Sequence, residues 1–424
     1  MNKSATAPAA GVKTAQYEAR LLATVRRQGA VSRKQLGQMT RIRMPVITAR
    51  VRDLVKRGIL VESGSRPTGR GRRQILLSLN GRHGFVVGIE FDPERILAVV
   101  VDVCGRLVAR SGAAMPAAKT PETILRALKG AVAAAIRKSG YPPGALQGIG
   151  VADPGVVDCR SGVTVFCSMM PEWQGVPVRD QLGARFGVPV WLDASTRAKT
   201  LCETLHGAGQ GAQDLLYIDI GCGIGCGVLV DGRLYRGHMG LAGELGHTRV
   251  MEHGPVCNCG STGCLETVSS YPAILRQVRK ALCDGAQSII PQLAGQADAA
   301  LDMLHVLEAA RQGDKLAMGI LERAWHYLGT AIANAANLFN PEAIVLGLNR
   351  AAAGDVLVAP IQRIVDRHAV RLSGKALAIR AAGIGEEAGA WGAALLMLNT
   401  LYDGAAGATA IVPHTQTSHT TQGA

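Results

Sequence analysis

The sequence predicts a two-lobed α/β domain preceded by a small winged helix-turn-helix domain. Three observations lead to this prediction. First, positive charge is concentrated at one end: residues 1–82 hold 18 Lys and Arg against three acidic residues, +15 in all, whereas the whole 424-residue chain carries +14. Second, short apolar runs and amphipathic helices alternate beyond residue 83, and two strand hairpins each open one half of that region. Third, one histidine and three cysteines lie close together between residues 243 and 266.

The basic segment begins with the periodicity of two helices. Apolar residues at i, i+4 and i+8 predict an amphipathic helix over residues 15–28, ended by a glycine. Ser32 and Gln35 have the spacing of a capping box, so a second short helix starts there and is expected to bury Leu36 and Met39. This internal periodicity favours a folded module over a basic solvated tail.

A third helix and a hairpin complete the module. Pro45 suits the first turn of a helix that Gly58 ends, and strands at 59–61 and 75–77 flank a glycine-rich basic hairpin. Helix, helix, helix and hairpin are the order of a winged helix-turn-helix, in which the third helix enters the major groove and the wing contacts phosphate or the minor groove. The predicted DNA-binding residues are Arg43, Thr48, Arg50 and Arg52 on the helix, and Arg70, Arg72 and Arg73 on the wing.

The elements of the larger region are predicted from apolar runs and helical periodicity. We expect two similar lobes around a cleft, within domain bounds of 1–14 (disordered N-terminus), 15–82, 83–402 and 403–424 (disordered tail). The predicted strands are 85–91, 96–102, 107–111, 146–151, 188–192, 215–220, 225–230 and 343–346. The predicted helices are 121–138, one starting near 193, one near 262–283, then 298–312, 315–338 and 387–398.

The histidine and cysteines form a candidate metal site. Zinc prefers four nitrogen or sulfur donors in a tetrahedron, and the spacing of His247, Cys257, Cys259 and Cys264 supplies them. The open alternative is three unrelated core cysteines. Because a closed four-ligand zinc is structural, the flanking carboxylates of Glu244 and Glu266 remain free to bind a polar ligand.

Composition excludes two classes of protein. Ten cysteines would indicate a disulfide framework only in a small secreted chain, and no apolar signal segment follows the initial Met-Asn-Lys. No apolar run approaches the roughly 18 residues needed to cross a bilayer. We therefore expect a cytoplasmic protein with no membrane contact, whose remaining cysteines are reduced.

Several motifs resemble those of the ROK family, which contains bacterial repressors and sugar kinases. They are Gly-Glu-Leu-Gly-His at 243–247, the cysteine segment at 257–266, Val-Pro-Val-Trp-Leu-Asp-Ala at 188–194, the glycine-rich 221–227 followed by 231–234, and Asn-Pro-Glu-Ala-Ile-Val-Leu-Gly at 340–347. The resemblance spans about residues 83–400. Residues 40–48 lie where the family's repressor branch carries its helix-turn-helix.

The resemblance implies a fold and residue roles. The fold is that of the actin and hexokinase superfamily, which is ribonuclease H-like. Asp193 matches the aspartate that removes a proton from a sugar hydroxyl in the kinases. Glu244, His247 and Glu266 match positions that contact the sugar. A zinc ion bound to one ring nitrogen of His247 would orient the other nitrogen toward the sugar.

The sequence also departs from the kinases. The place of their glycine-rich phosphate turn reads Glu-Phe-Asp-Pro-Glu at 90–94, which lacks glycine and carries three carboxylates, so we expect no catalysis. Leu192, Ser195 and Met169-Met170 stand where the family often has asparagine, which leaves open a less common sugar, a sugar phosphate or no effector.

The sequence therefore predicts a transcriptional regulator, and specifically a repressor of carbohydrate uptake or catabolism genes. Its expected partners are operator DNA, a sugar or sugar phosphate and a second copy, as a homodimer or dimer of dimers. The alternatives are an ATP-dependent sugar kinase and a regulator controlled by a protein partner.

Overall fold

The first module consists of three helices and a small antiparallel sheet. A computed structural model describes residues 10–66, 73–295, 301–348, 354–370 and 377–403. The elements are α1 (Ala10–Gln28), β1 (Val31–Ser32), α2 (Arg33–Thr40), α3 (Met44–Lys56), β2 (Leu60–Arg66) and β3 (Gln74–Leu79). Strand β3 lies between β1 and β2, and the fully buried Leu21, Leu36, Ile47 and Leu77 form the centre of the core.

Local sequence signals explain this module, with two differences. The capping box is present: the Ser32 hydroxyl accepts from the Gln35 amide at 3.3 Å, and the Gln35 side chain accepts from the Ser32 amide at 2.9 Å. Helix α1 begins at Ala10 rather than at residue 15. Met39 is half exposed, so its predicted burial is wrong, because α2 turns that side chain toward solvent. The rest of the predicted disordered ends, residues 1–9 and 404–424, lies outside the described residues.

The larger region contains two lobes with the same sheet topology. Lobe 1 contains β4 (Phe85–Phe91), β5 (Arg95–Asp102), β6 (Leu107–Ala114), α4 (Pro121–Ser139), β7 (Leu146–Asp153), the small hairpin β8 (Val156–Asp158) and β9 (Val163–Phe166), α5 (Val178–Phe186) and β10 (Val190–Ala194). Its main sheet has the order β10-β7-β4-β5-β6. Strands β4 to β6 form an antiparallel meander, and β7 and β10 add in parallel on the other side.

Lobe 2 repeats this arrangement. It contains β11 (Leu215–Ile220), β12 (Ile224–Val230), β13 (Arg233–Tyr235), α7 (Glu266–Ser269), α8 (Tyr271–Cys283), α9 (Ile290–Ala294), α10 (Met303–Arg311), α11 (Lys315–Phe339), β14 (Ala343–Leu348), α12 (Gly354–His368) and β15 (Ala378–Ala381). Its sheet order is β13-β12-β11-β14-β15, again a meander followed by two parallel strands. The expected similarity of the lobes is confirmed. The helix predicted near 262–283 is divided at Ser270, which caps α8.

Two helices, α6 (Ser195–His206) and α13 (Ala388–Asp403), lie between the sheets. A shared apolar core contains residues of both sheets and of both helices. Helix α13 approaches lobe 1 closely, because a Cβ at Gly88 would lie 1.8 Å from the Ala390 carbonyl oxygen and one at Gly150 1.9 Å from that of Ala393. No helix among the described residues is long and apolar enough to cross a membrane.

Candidate functional site

A cleft of about 960 Å³, including its open mouth, lies between the lobes. The turn after β4 and the N-terminal end of α6 form one wall. The β11–β12 turn and the segment leading from β13 to α7 form the other. Three predicted ligand-binding residues, Glu244, His247 and Glu266, line this cleft. The fold therefore brings these three side chains together as expected.

The predicted metal-binding residues also converge. His247, Cys257, Cys259 and Cys264 each offer one donor atom, and these atoms all lie within 4.8 Å of one another. Cys257 Sγ is 3.6 Å from His247 Nδ1. Cys259 Sγ is 3.7 Å from Cys264 Sγ. One imidazole and three thiols at these separations can hold a divalent metal ion.

The local chain geometry fits a metal site. Gly260 and Gly263 adopt positive φ angles of 90° and 70°, which glycine allows at low strain, and a bridge between Val256 and Thr262 closes the turn. Burial raises the pKa of Cys257 and of Cys264 above the ordinary range. A bound cation would reverse that preference, because a metal selects the thiolate form.

His247 connects the metal site to the cleft. Its Nδ1 faces Cys257, whereas its Nε2 lies 3.9 Å from Glu244 Oε2. One ring nitrogen is therefore placed for a metal and the other for the cleft, as the sequence suggested. Burial raises the pKa of Glu244, and the nearby Glu266 carboxylate adds to that effect.

Glu266 is held at the mouth of the β11–β12 turn. It is the first residue of α7, and its Oε2 accepts a hydrogen bond from the Ile224 amide at 3.1 Å. A Cβ at Gly223 would lie 2.7 Å from the same oxygen, so the glycine makes room for the carboxylate. Gly227 similarly allows Thr200 of α6 to approach β12, since a Cβ there would lie 1.7 Å from the Thr200 hydroxyl. These glycines thus have packing roles in the structure.

The structure corrects the prediction for Asp193. Its side chain is fully buried and does not line the cleft. One carboxylate oxygen lies 2.5 Å from Arg197 Nε, and the other lies 2.5 Å from Arg236 Nη2. Burial alone would raise the pKa of Asp193, but the two guanidinium groups outweigh it and hold that pKa well below its usual range. In this structure Asp193 is therefore an ion-pair partner of both arginines.

The residues on either side of Asp193 show which side chains the end of β10 directs into the core and which line the cleft. Leu192 is fully buried in the core of lobe 1, so it has no place in the cleft. Asp193 lies on the opposite face of β10, next to the half-buried Trp191. Ser195, the first residue of α6, does line the cleft, as does Met169, whereas Met170 is buried. The strand end thus presents a hydroxyl where the sequence predicted a carboxylate.

A buried ion-pair triad at the inner end of the cleft was not predicted from the sequence. Lys199 Nζ lies 3.1 Å from Glu90 Oε1 and 2.8 Å from Asp219 Oδ2. Burial raises the pKa of Glu90, although Lys199 opposes that shift. Glu90, which lies where the kinases have their phosphate turn, is therefore engaged in an ion pair within the chain. No sequence signal joins Lys199 to these distant carboxylates.

A second candidate site is the outer face of α3. Arg43, Thr48 and Arg52 are exposed and Arg50 is half-buried. Arg43 is the N-cap of α3, and Pro45 lies in its first turn. Arg73 is exposed just before β3. The other predicted wing residues, Arg70 and Arg72, lie outside the described residues.

Comparisons with known proteins agree with this architecture. The sequence profile of the ROK family matches residues 86–400. A xylose repressor from Caldicellulosiruptor bescii is 29% identical over 348 residues, covering 82% of this chain and 86% of that protein. A solved ROK family transcriptional regulator, a homologue of the E. coli MLC protein, has a TM-score of 0.76 at 26% identity and covers 93% of this chain and 98% of its own. A ROK family glucokinase from Streptomyces griseus, solved with glucose and AMPPNP, has a TM-score of 0.67 at 31% identity, with coverage of 74% and 99%.

Proposed function

The chain belongs to the ROK family, and from this premise we propose that it is a DNA-binding transcriptional repressor of carbohydrate genes that responds to a sugar. The similarity to a xylose repressor over 82% of the chain supports a repressor. The similarity to a transcriptional regulator extends over a larger share of the chain than the similarity to a glucokinase. The DNA-binding half of the proposal depends on the N-terminal module.

The single observation that carries the proposal is that α3 exposes Arg43, Thr48 and Arg52 to solvent, with Arg50 half-buried. Among the described residues, Arg33 and Arg57 form ion pairs with Glu62, Glu18 and Asp53, and Arg26 and Arg27 pair with Asp403 of α13. The arginines of the α3 face are thus available to DNA. We assign the module as a winged helix-turn-helix, in which Arg43, Thr48, Arg50 and Arg52 face the major groove and Arg70, Arg72 and Arg73 form the wing.

We assign zinc to the cluster of His247, Cys257, Cys259 and Cys264. Three thiols and an imidazole are a donor set that suits zinc, and four protein ligands make a closed structural site. Such an ion would fix the ring of His247, whose second nitrogen then hydrogen-bonds a sugar hydroxyl beside Glu244 and Glu266. The effector would bind between the lobes.

The cleft favours a repressor over a sugar kinase. Asp193, the expected proton acceptor, is held by two arginines, and Ser195 takes the position at the start of α6. A serine without a basic partner cannot serve as a general base near neutral pH. The Glu90–Lys199–Asp219 triad occupies the inner end, where a kinase needs donors for phosphate.

We further propose that the repressor acts as a dimer. Two copies of the module would bind half-sites one or more helical turns apart. A sugar that binds one arrangement of the two lobes more tightly than another would shift the equilibrium toward that arrangement. This shift would change the spacing of the two modules. Size-exclusion chromatography with light scattering on the full chain measures the assembly.

The test selects operator fragments from a genomic library with the full-length protein and then measures fluorescence anisotropy. We expect sequence-specific binding that a sugar alone weakens, with no ATP present. ATP-dependent phosphorylation of a sugar would instead establish a kinase. Operator affinity that stays unchanged at saturating sugar would exclude the sugar response and favour control by a protein partner.

A further inference from the structure

The inner end of the cleft is negatively charged although it contains a lysine. The Lys199 ammonium lies 3.1 Å from Glu90 Oε1 and 2.8 Å from Asp219 Oδ2, so one positive charge is shared by two carboxylates. The side chains of Glu90, Lys199 and Asp219 are only 10%, 12% and 19% exposed. Because the three groups are withdrawn from solvent, their net charge of −1 is weakly screened.

The remaining charged residues of the cleft lining leave its net charge negative. Glu244 and Glu266 place two further carboxylates in the cleft lining. Arg197 also lines the cleft, but its Nε bonds Asp193 and its Nη1 bonds the Gly240 carbonyl at 3.0 Å. Lys199 is therefore paired with two carboxylates, whereas Arg197 shares the carboxylate of Asp193 with Arg236.

Two backbone amides of the glycine-rich turn are engaged as well. The Ile224 amide donates to Glu266 at 3.1 Å, and the Gly221 amide donates to the Gly223 carbonyl at 3.0 Å. A phosphate-binding turn needs such amides free and aimed at the anion. This turn instead directs one of them at a carboxylate of its own chain.

We propose that the cleft selects an unphosphorylated polyhydroxylated ligand, rich in hydrogen-bond donors, and excludes the corresponding phosphate ester. Hydroxyl or amino donors satisfy the carboxylates of Glu244 and Glu266, whereas a phosphate would meet like charge at Glu90 and Asp219, whose neighbouring Lys199 is already paired with both. The inference deepens the proposed function and rests on it, since it specifies the effector of the proposed repressor. Like charge at close range disfavours the phosphate ester relative to its parent sugar.

Isothermal titration calorimetry of the full-length protein tests the selectivity with matched pairs. The ligands are glucose, N-acetylglucosamine and glucosamine, each beside its 6-phosphate. We expect the parent sugar that binds to do so about 100-fold more tightly than its ester. Tighter binding of glucosamine than of glucose identifies an amino group as part of the preferred ligand. An ester that binds as tightly as its parent overturns the inference.

A charge variant provides a readout that is independent of the sugar's identity. Asp219→Asn leaves Lys199 with one carboxylate, and it should increase the affinity for inorganic pyrophosphate about tenfold over wild type. Asp284→Asn removes the same charge from an exposed position at the end of α8 and should change that affinity less than about twofold. Equal effects of both variants, or tight pyrophosphate binding by wild type, overturn the inference. Failure of every sugar to bind, with pyrophosphate still excluded by wild type and admitted by Asp219→Asn, refutes the proposed sugar response while the anion exclusion stands.

Discussion

Asp193 contributes to stability through its two arginine partners. A fully buried carboxylate between Arg197 and Arg236 leaves uncompensated charge when it is neutralised. We expect Asp193→Asn to lower the free energy of unfolding by about 3–5 kcal/mol at pH 7. Urea unfolding followed by circular dichroism measures the change. Asp284→Asn, at an exposed position, is the matched control and should cost below about 0.5 kcal/mol.

The ion pairs of Asp193 with its two arginines also predict that the stability of the fold depends on pH. The pKa of Asp193 is lower in the folded chain than in the unfolded chain, where it is about 3.9. Its stabilisation is thus present above about pH 4 and is lost as the pH falls toward the folded pKa. The Asn variant should therefore show a smaller loss of stability between about pH 4 and pH 2 than wild type. Parallel acid titrations of the two proteins would contradict this ion pair.

The metal site supports a second residue-scale prediction. We expect Cys264→Ser to bind less than about half the zinc of wild type and to lower the unfolding free energy by several kcal/mol, because a structural metal stabilises only the folded state. Emission spectrometry measures zinc and calorimetry measures unfolding. Cys283→Ser, which alters an exposed cysteine at the end of α8, should change neither. Equal zinc content in both variants would refute the assignment.

Sequence reasoning identified the residues of the metal cluster but misplaced one residue of the cleft. His247 and the three cysteines lie within one short segment, so their spacing alone indicated a shared site. Whether Asp193 or Ser195 lines the cleft depends on where β10 ends and α6 begins, and the sequence does not specify that boundary to within two residues. Lys199 meets Glu90 and Asp219 only after three separate elements have packed, which no local pattern records.

At the scale of elements, we expect the third helix and the wing of the proposed winged helix-turn-helix to have separable roles. Arg50→Ala on α3 should weaken binding to the operator and relax its sequence preference, at about 1–3 kcal/mol for a base-contacting arginine. Arg73→Ala, beside the wing, should weaken binding to every duplex and reduce the salt slope by about one. Anisotropy titrations against operator and random duplex at several salt concentrations distinguish these outcomes. Equal losses on both duplexes for both variants would contradict the division of roles.

Most strands were predicted because each is a compact apolar run, whereas α12 was missed. Its Leu357, Ile361 and Val365 are fully buried at i, i+4 and i+8, which is a helical pattern. Pro360 lies inside the helix and normally indicates an end or a kink. Packing against α11 overrides that local signal. The strand β15 was also missed, since a four-residue edge strand carries too little periodicity to be recognised.

Over the whole molecule, α13 connects the cleft to the N-terminal module. Near its start, Gly389 packs against Glu90, since a Cβ there would lie 2.2 Å from the carboxylate carbon. At its end, Asp403 lies 3.8 Å from the buried Arg26 of α1, whose guanidinium also lies 5.7 Å from the Tyr402 ring centroid. Burial lowers the pKa of Arg26 to about 10, although Asp403 opposes the shift. Helix α13 thus contacts both a cleft residue and the N-terminal module.

This junction should make the module and the lobes unfold together. Asp403→Asn leaves the Arg26 charge buried without its partner, and we expect it to cost about 3 kcal/mol and to separate the module's transition from that of the lobes in calorimetry. Adding Arg26→Met removes the stranded charge and should recover most of that loss, giving a coupling energy of about 1–3 kcal/mol in the double-mutant cycle. Asp284→Asn again serves as the charge-matched control. Additive losses, or a single transition in every variant, would show that Arg26 and Asp403 do not connect α1 to α13.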